Sequence, residues 1–326
     1  MKILVTGGAG YIGGTVTQLL LDRGHTVVVY DNLCHAQRSM VPAGATFVEG
    51  DVADSKRLDE LFADGSLAGV MHFAALIEAG ESMRKPEVYF RNNTAATLGL
   101  LESMVRNNLP RLVFSSTAAV YGEPVSTPIF EDAALAPTNA YGESKLLVEQ
   151  MLAWIHRIHG LRYASLRYFN VAGAIPGRGE AHEPESHLIP LILDVALGRR
   201  ERIKIFGQDY PTPDGTAVRD YIHVQDLAEA HLLAFQALDG RDRMVYNLGN
   251  GQGFTVRQVV ESARRVTGHP IPVEELPRRP GDPAILIASS AKIETELGWK
   301  PKYMQLDDIV LSAWQWHQER YQHQPV

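Results

Sequence analysis

Cysteine is almost absent: Cys34 is the single one in 326 residues. That excludes an intrachain disulfide, and because no Cys/His cluster has zinc-site spacing, no metal is expected. Apolar residues make up 45% of the chain, yet no run of them approaches the roughly 20 residues that span a bilayer, so no membrane partner is expected. The formal charge of −7 comes without any basic tract, which removes the electrostatic footprint of nucleic-acid binding. The first strand-like run starts at Lys2, leaving no room for a secretory leader, and a cytoplasmic protein is the expectation. Internal repeats and low-complexity segments are lacking too, and the length suits two lobes.

What is present begins at the amino terminus. Lys2-Ile3-Leu4-Val5-Thr6 reads as a strand, Gly7-Gly8-Ala9-Gly10-Tyr11-Ile12-Gly13 as a turn, and Val16, Leu19 and Leu20 as the buried stripe of a helix. In such a unit Gly7 permits the sharp turn, Gly10 lets the backbone approach a pyrophosphate, and Gly13 lets the helix pack on the strand. The helix N-terminus offers free amides and partial positive charge to phosphates. The next apolar run, Thr26-Val27-Val28-Val29-Tyr30, ends at Asp31, whose carboxylate would accept from both adenosine ribose hydroxyls and repel a 2′-phosphate. NAD is therefore expected over NADP.

Strand-like runs near residues 2–6, 26–30, 45–49, 69–74, 111–116 and 162–168 alternate with helical patterns. Such alternation predicts an α/β fold, a doubly wound parallel (Rossmann-type) sheet over residues 1–170. Ligands bind beyond the carboxyl ends of parallel strands, where Asp51-Val52, Phe73-Ala74-Ala75, Ser115-Ser116-Thr117 and Tyr168-Phe169-Asn170 fall. From about residue 171 Gly- and Pro-rich stretches predict a smaller C-terminal α/β lobe over 171–326 that binds the substrate. Residues 221–248 read as elements returning to the large sheet.

Tyr141 and Lys145 stand four apart in Asn139-Ala140-Tyr141-Gly142-Glu143-Ser144-Lys145. On a helix those side chains lie one above the other, so the ammonium is expected to favour an ionised phenol, a proton acceptor near neutral pH.

Taken together, the opening glycines, Phe114-Ser115-Ser116-Thr117, Tyr121-Gly122, Tyr141 to Lys145 and Arg167-Tyr168-Phe169-Asn170 resemble the extended short-chain dehydrogenase/reductase family. Within it, the likeness is greatest to the branch that epimerises UDP-sugars at C4. Asp31-Asn32-Leu33, Glu78 to Ser82 around Gly80-Glu81, Tyr210-Pro211-Thr212 and Val218-Arg219-Asp220-Tyr221-Ile222-His223-Val224 extend it to about residue 315.

The resemblance implies a tightly held NAD and interconversion of UDP-galactose with UDP-glucose through a 4-keto sugar, with UDP-N-acetylhexosamines left open. Tyr141 would be the base, Lys145 would also reach the nicotinamide ribose, and Thr117, where the family usually carries serine, would hydrogen-bond the reacting oxygen. The implied cofactor set is Gly7, Gly10, Tyr11, Ile12, Gly13, Asp31, Asn32, Asp51, Val52, Phe73, Ala74, Ala75, Asn92, Ser115, Tyr141, Lys145 and Tyr168. The implied substrate set is Thr117, Tyr141, Asn170, His187, Leu188, Phe206, Arg219, Arg279 and Asp282, with the two arginines countering phosphate charge.

Ile77 stands where some members place a lysine, and His187 where some place an asparagine. Leu286 occupies the position whose size governs entry of N-acetylated sugars. A homodimer through helices around 86–106 and 140–159 is implied as well.

Dehydratases of the family carry Thr-Asp-Glu after the central strand, whereas Thr117-Ala118-Ala119 puts two methyl groups where the acid and base would stand. A UDP-glucuronate epimerase or decarboxylase stays open at this level. So does a non-catalytic NAD-binding regulator, although the intact Tyr/Lys pair argues against it.

Overall fold

The branched runs beginning at Lys2 and Thr26 become neighbouring parallel strands. Their side chains are buried on both faces, so the sheet ladder is where their backbone hydrogen bonds must go. A computed structural model describes residues 1–279 and 282–321. It opens with β1 (Lys2–Thr6), β2 (Thr26–Asp31), β3 (Thr46–Glu49), β4 (Leu67–His72), β5 (Arg111–Thr117) and β6 (Arg162–Tyr168). The chain continues through β7 (Asn170–Ala172), β8 (Ile203–Phe206), β9 (Val218–His223) and β10 (Arg243–Leu248), then β11 (Gly253–Thr255), β12 (Val273–Leu276) and β13 (Ile285–Leu286).

The large sheet has seven strands in the order β10-β6-β5-β4-β1-β2-β3, all parallel. The strand order reverses between β1 and β4, which opens a crevice at their carboxyl ends. The Tyr11–Asp22 and Val224–Ala237 helices cover one face through Val16, Leu20, Leu227 and Phe235. The helices Ser55–Phe62, Ala96–Arg106 and Ala140–His159 cover the other through Leu58, Leu100, Met104, Val148 and Leu152.

β4 lies two residues earlier than the expected 69–74. Phe73 donates its last ladder bond to Thr6 O at 3.0 Å, and the chain then folds over the glycine turn. A Cβ on Gly7 would stand 2.6 Å from Ala74 N, so Phe73 to Ala75 form the lip of the crevice.

Only Phe169 separates β6 from β7, which carries the chain directly into the small lobe. There β9 pairs with β7, β11 and β13, β8 pairs with β12, and Ile192, Leu193, Val260, Ile309 and Trp314 share a second core. β9 ends at His223, whose ring accepts from Gln225 N and caps the helix returning to the large sheet, where β10 docks beside β6.

Candidate active site

The glycine turn is shaped by backbone, not side chains. Gly7 has φ +71, a conformation that side chains disfavour, and a Cβ on Gly13 would collide with Gly7 O. Gly10 caps the Tyr11–Asp22 helix with no side-chain cap and no acidic residue in the first turn, so the amides there stay available to an anion. At the end of β2, Asp31 accepts from Ala9 N at 3.0 Å through Oδ2 and from Leu33 N at 2.9 Å through Oδ1. Each oxygen keeps a second lone pair for a ribose hydroxyl. Asn32 donates to Asp51 Oδ2 at 2.9 Å, and Val52 follows on the same rim. Uncapped amides, a turn only glycine can make and a half-satisfied carboxylate fit a dinucleotide.

On the far side of the crevice, Asn139 accepts from Gly142 N at 2.8 Å and starts the Ala140–His159 helix beside the end of β5. Gly142 is required there, since a Cβ would stand 2.6 Å from Ala119 O. Tyr141 and Lys145 thereby face β5. Lys145 is 2% exposed, donates from Nζ to Ser115 O at 2.9 Å and lies 5.0 Å from the Phe114 ring centroid. Burial lowers its pKa to about 7. Ser115 in turn accepts from the Tyr168 phenol. Thr117 ends β5 with Oγ1 accepting from Ala119 N at 3.1 Å.

The expected ionisation of Tyr141 by Lys145 is corrected here. Burial raises the phenol's pKa, the Thr117 hydroxyl opposes that by hydrogen bonding, and the Glu78 carboxylate raises it further. The i,i+4 pair is buried and the ammonium is held to β5, so burial outweighs what the protein's own groups do to favour the phenolate.

Of the other residues in the sequence-derived set, Phe73, Ala74 and Ala75 form the lip described above, and Asn92 sits in the π-turn Phe90–Ala95. Asn170 opens β7 and donates to Asp220 O at 3.2 Å. Arg219 on β9 donates to Val218 O at 2.8 Å and is ion-paired with Asp282, so two of these polar residues satisfy one another. Arg279 lies over Phe206 at 3.8 Å. His187 caps the Leu188–Ala196 helix and its pKa is raised to about 9. Burial opposes its charge, and the hydrogen bond to Glu185 at 2.8 Å with the nearby Glu180 and Glu78 outweighs it. Leu286, like Phe169, packs against the small cluster of Val120, Tyr121, Ile129 and Leu146, while Ile77 is exposed.

Ser82, in the Glu78 to Ser82 stretch that the sequence reading singled out without a role, accepts from Tyr141 N at 3.1 Å, and the network beneath the site was missed. Glu149 takes a bidentate pair from Arg167 at 3.0 and 2.6 Å and accepts from Ser116 Oγ at 2.5 Å. Glu149 follows Lys145 by four residues on the same helix, and that spacing is the signal that could have found it.

A doubly wound sheet with a dinucleotide turn at β1 and a Tyr/Lys pair at the end of β5 defines an NAD-dependent enzyme of sugar or alcohol chemistry. Residues 3–249 match the NAD dependent epimerase/dehydratase family, and the chain belongs to it. It is 54% identical over 323 residues to the UDP-glucose 4-epimerase of Halalkalibacterium halodurans, covering 98% of this chain and 96% of the relative. It resembles the crystal structure of UDP-glucose 4-epimerase from Brucella ovis in complex with NAD (TM-score 0.94, 44% identity, 96% of this chain and 97% of the other). The corresponding figures for the Bifidobacterium longum enzyme in complex with NAD+ and UDP are TM-score 0.93, 39% identity and 98% of both chains. Among the described residues no helix is long and apolar enough to cross a membrane.

Proposed function

We propose that this chain interconverts UDP-galactose and UDP-glucose, with Tyr141 as the base that takes the proton from the sugar 4-hydroxyl and later returns it. The observation that carries this reading is the convergence of Tyr141, Lys145 and Thr117 at the end of β5, across the crevice from the glycine turn. Residues 1–170, with the return elements 221–248, hold NAD, and 171–326 hold the UDP-sugar. Gly7, Gly10, Tyr11, Ile12 and Gly13 hold the NAD pyrophosphate, Asp31 and Asn32 its adenosine ribose, and Asp51, Val52, Phe73, Ala74, Ala75, Asn92, Ser115, Lys145 and Tyr168 the remainder of NAD. Bound NAD supplies the acceptor and later the donor of hydride at sugar C4, together with a positive charge that favours the Tyr141 phenolate.

Thr117 holds the reacting oxygen between its hydroxyl and the Tyr141 phenol, and Lys145 fixes the end of β5 that carries it. The proton passes from the 4-hydroxyl to the Tyr141 oxygen and back to the opposite face once the 4-keto sugar has turned. Asn170, His187, Leu188, Phe206, Arg219, Arg279 and Asp282 hold the UDP portion while the hexose turns. The Ala118-Ala119 pair offers no group for the acid and base steps of a dehydratase, and both side chains follow Thr117 directly.

A homodimer is part of the proposal. Val88, Leu98, Trp154 and Ile158 are exposed apolar residues on the helical segments 86–106 and 140–159, with Trp154 62% and Ile158 65% exposed. Light scattering at twice the chain mass is the expected result, and a monomer mass would rule the dimer out. The exposed Cys34 thiol suits the reducing cytoplasm, where we place the enzyme.

Incubation with UDP-galactose and no added NAD, followed by chromatography of the intact nucleotide sugars, tests the reading. UDP-glucose should appear. Absence of conversion, with or without added NAD, would refute it.

A further inference from the structure

Residues 173–182 leave β7 and run along the rim of the nucleotide crevice as a strap. Tyr11, in the glycine turn, donates its phenol to Gly173 O at 2.6 Å. Ala174 N donates to Ser312 Oγ at 3.1 Å, and Trp316 Nε1 to Glu180 O at 2.9 Å, which ties the strap to the Leu306–Tyr321 helix. Between these anchors Ile175 and Arg178 exchange two main-chain hydrogen bonds, each 2.9 Å, closing a turn that points Arg178 inward.

Arg178 is 7% exposed. Its Nη2 donates to Met40 O, and its guanidinium lies against Gly14 of the Tyr11–Asp22 helix, where a Cβ would collide with Nη1. Nη1 has no hydrogen-bond partner among the described residues, and burial lowers the group's pKa. An uncompensated buried cation costs several kcal/mol, and an apolar side chain of similar volume would serve stability better. What the guanidinium does that an apolar group would not is to join three bodies at once. Gly14 belongs to the helix that follows the phosphate turn, Met40 to the segment that follows Asp31 and Asn32, and Arg178 itself to the small lobe.

We infer that Arg178 is a cofactor-retention residue, a latch that pins the two walls of the dinucleotide site together from the small lobe. The inference rests on the NAD site proposed above. To release the adenosine end of NAD, the Gly7 to Gly14 wall and the 31–40 wall must part, and parting them breaks the Arg178 contact with Met40 and strips the packing on Gly14. Arg178 touches neither Tyr141 nor Thr117, so its loss should act on cofactor dissociation and leave the proton-transfer groups in place.

The test follows NAD leaving the purified holoprotein, trapped as fluorescent NADH by alcohol dehydrogenase and ethanol. Arg178→Ala should release NAD at least tenfold faster than the parent, with turnover at saturating added NAD within about twofold. Arg178→Met, which keeps the stem's packing, should do the same and stands in if the alanine variant does not fold. Gly14→Ala displaces the guanidinium and should reproduce the faster release, and combining it with Arg178→Ala should add nothing. An unchanged release rate in the Arg178 variants would overturn the latch alone, as would an equal loss of UDP-sugar affinity, which would mean general loosening. A parent protein that carries no NAD and takes none up would overturn the cofactor site first and the latch with it.

Discussion

Lys145 donates to the carbonyl oxygen of Ser115 at 2.9 Å, so its ammonium is moored to β5 beneath Tyr141. Burial is what makes this mooring pH-sensitive: the pKa falls from 10.5 to about 7. Below that value folded and unfolded chains are both protonated and the cost of the buried charge is fully present. Between about 7 and 10.5 only the unfolded chain keeps the proton, so stability rises with pH across that window. Urea titrations of NAD-free protein at about pH 7 and about pH 9 should show the parent gaining about 2 kcal/mol relative to Lys145→Met. No relative change would mean the lysine is not buried as a charge.

Tyr141→Phe removes the oxygen that takes the proton while leaving ring packing intact. Turnover should fall by at least ~1,000-fold with bound NAD retained. Bound NAD is read from the absorbance of the denatured supernatant, and undiminished turnover would remove Tyr141 from its role as base.

Arg219 is ion-paired with Asp282 on the rim of the small lobe. Arg219→Ala should weaken UDP-sugar binding by roughly 30-fold, the size of one charge-assisted phosphate contact, while NAD content holds. Calorimetric titration with UDP separates the two, and equal loss of both ligands would argue for a structural role instead.

Leu286 on β13 is the register partner of Arg219 on β9, and its side chain packs against the cluster of Val120, Tyr121, Ile129 and Leu146. Tyrosine at 286 would add a ring where a leucine ends. Any activity on UDP-N-acetylglucosamine should drop at least ~10-fold in Leu286→Tyr while UDP-galactose turnover is kept. If the N-acetylated sugar were converted as before, residue 286 would not gate the pocket.

Arg167 and Glu149 are 4% and 8% exposed, and their paired bonds lie directly under β5. Arg167→Leu leaves the carboxylate buried without its partner and should cost about 3–5 kcal/mol. Adding Glu149→Leu should restore most of it. Denaturant midpoints that fail to recover in the double variant would show that other contacts of Arg167, such as its 2.9 Å bond to Tyr121, carry the stability.

Much of the fold was legible because its rules are local. A run such as Val27-Val28-Val29, rich in branched residues and bounded by Gly24 and Asp31, reads as a strand buried on both faces, and the alternation of such runs with helical patterns is enough to predict the parallel sheet. The β4 boundary was misplaced by two residues because Phe73 and Ala74 are apolar enough to pass for strand, and only the glycine turn beneath them bends the chain away.

The sequence by itself determined the dinucleotide turn, the Asp31 carboxylate after β2 and the one-face placement of Tyr141 and Lys145, since each depends on spacing within a few residues. Only the tertiary structure decided the charges. Lys145 meets Ser115 from 30 residues away, Arg219 meets Asp282 from 63, and Arg178 meets Met40 from 138. Desolvation and Coulomb energy depend on what surrounds a group in space, so the same lysine that spacing presents as a charged neighbour of a phenol becomes, once β5 closes over it, a buried amine with a pKa of about 7.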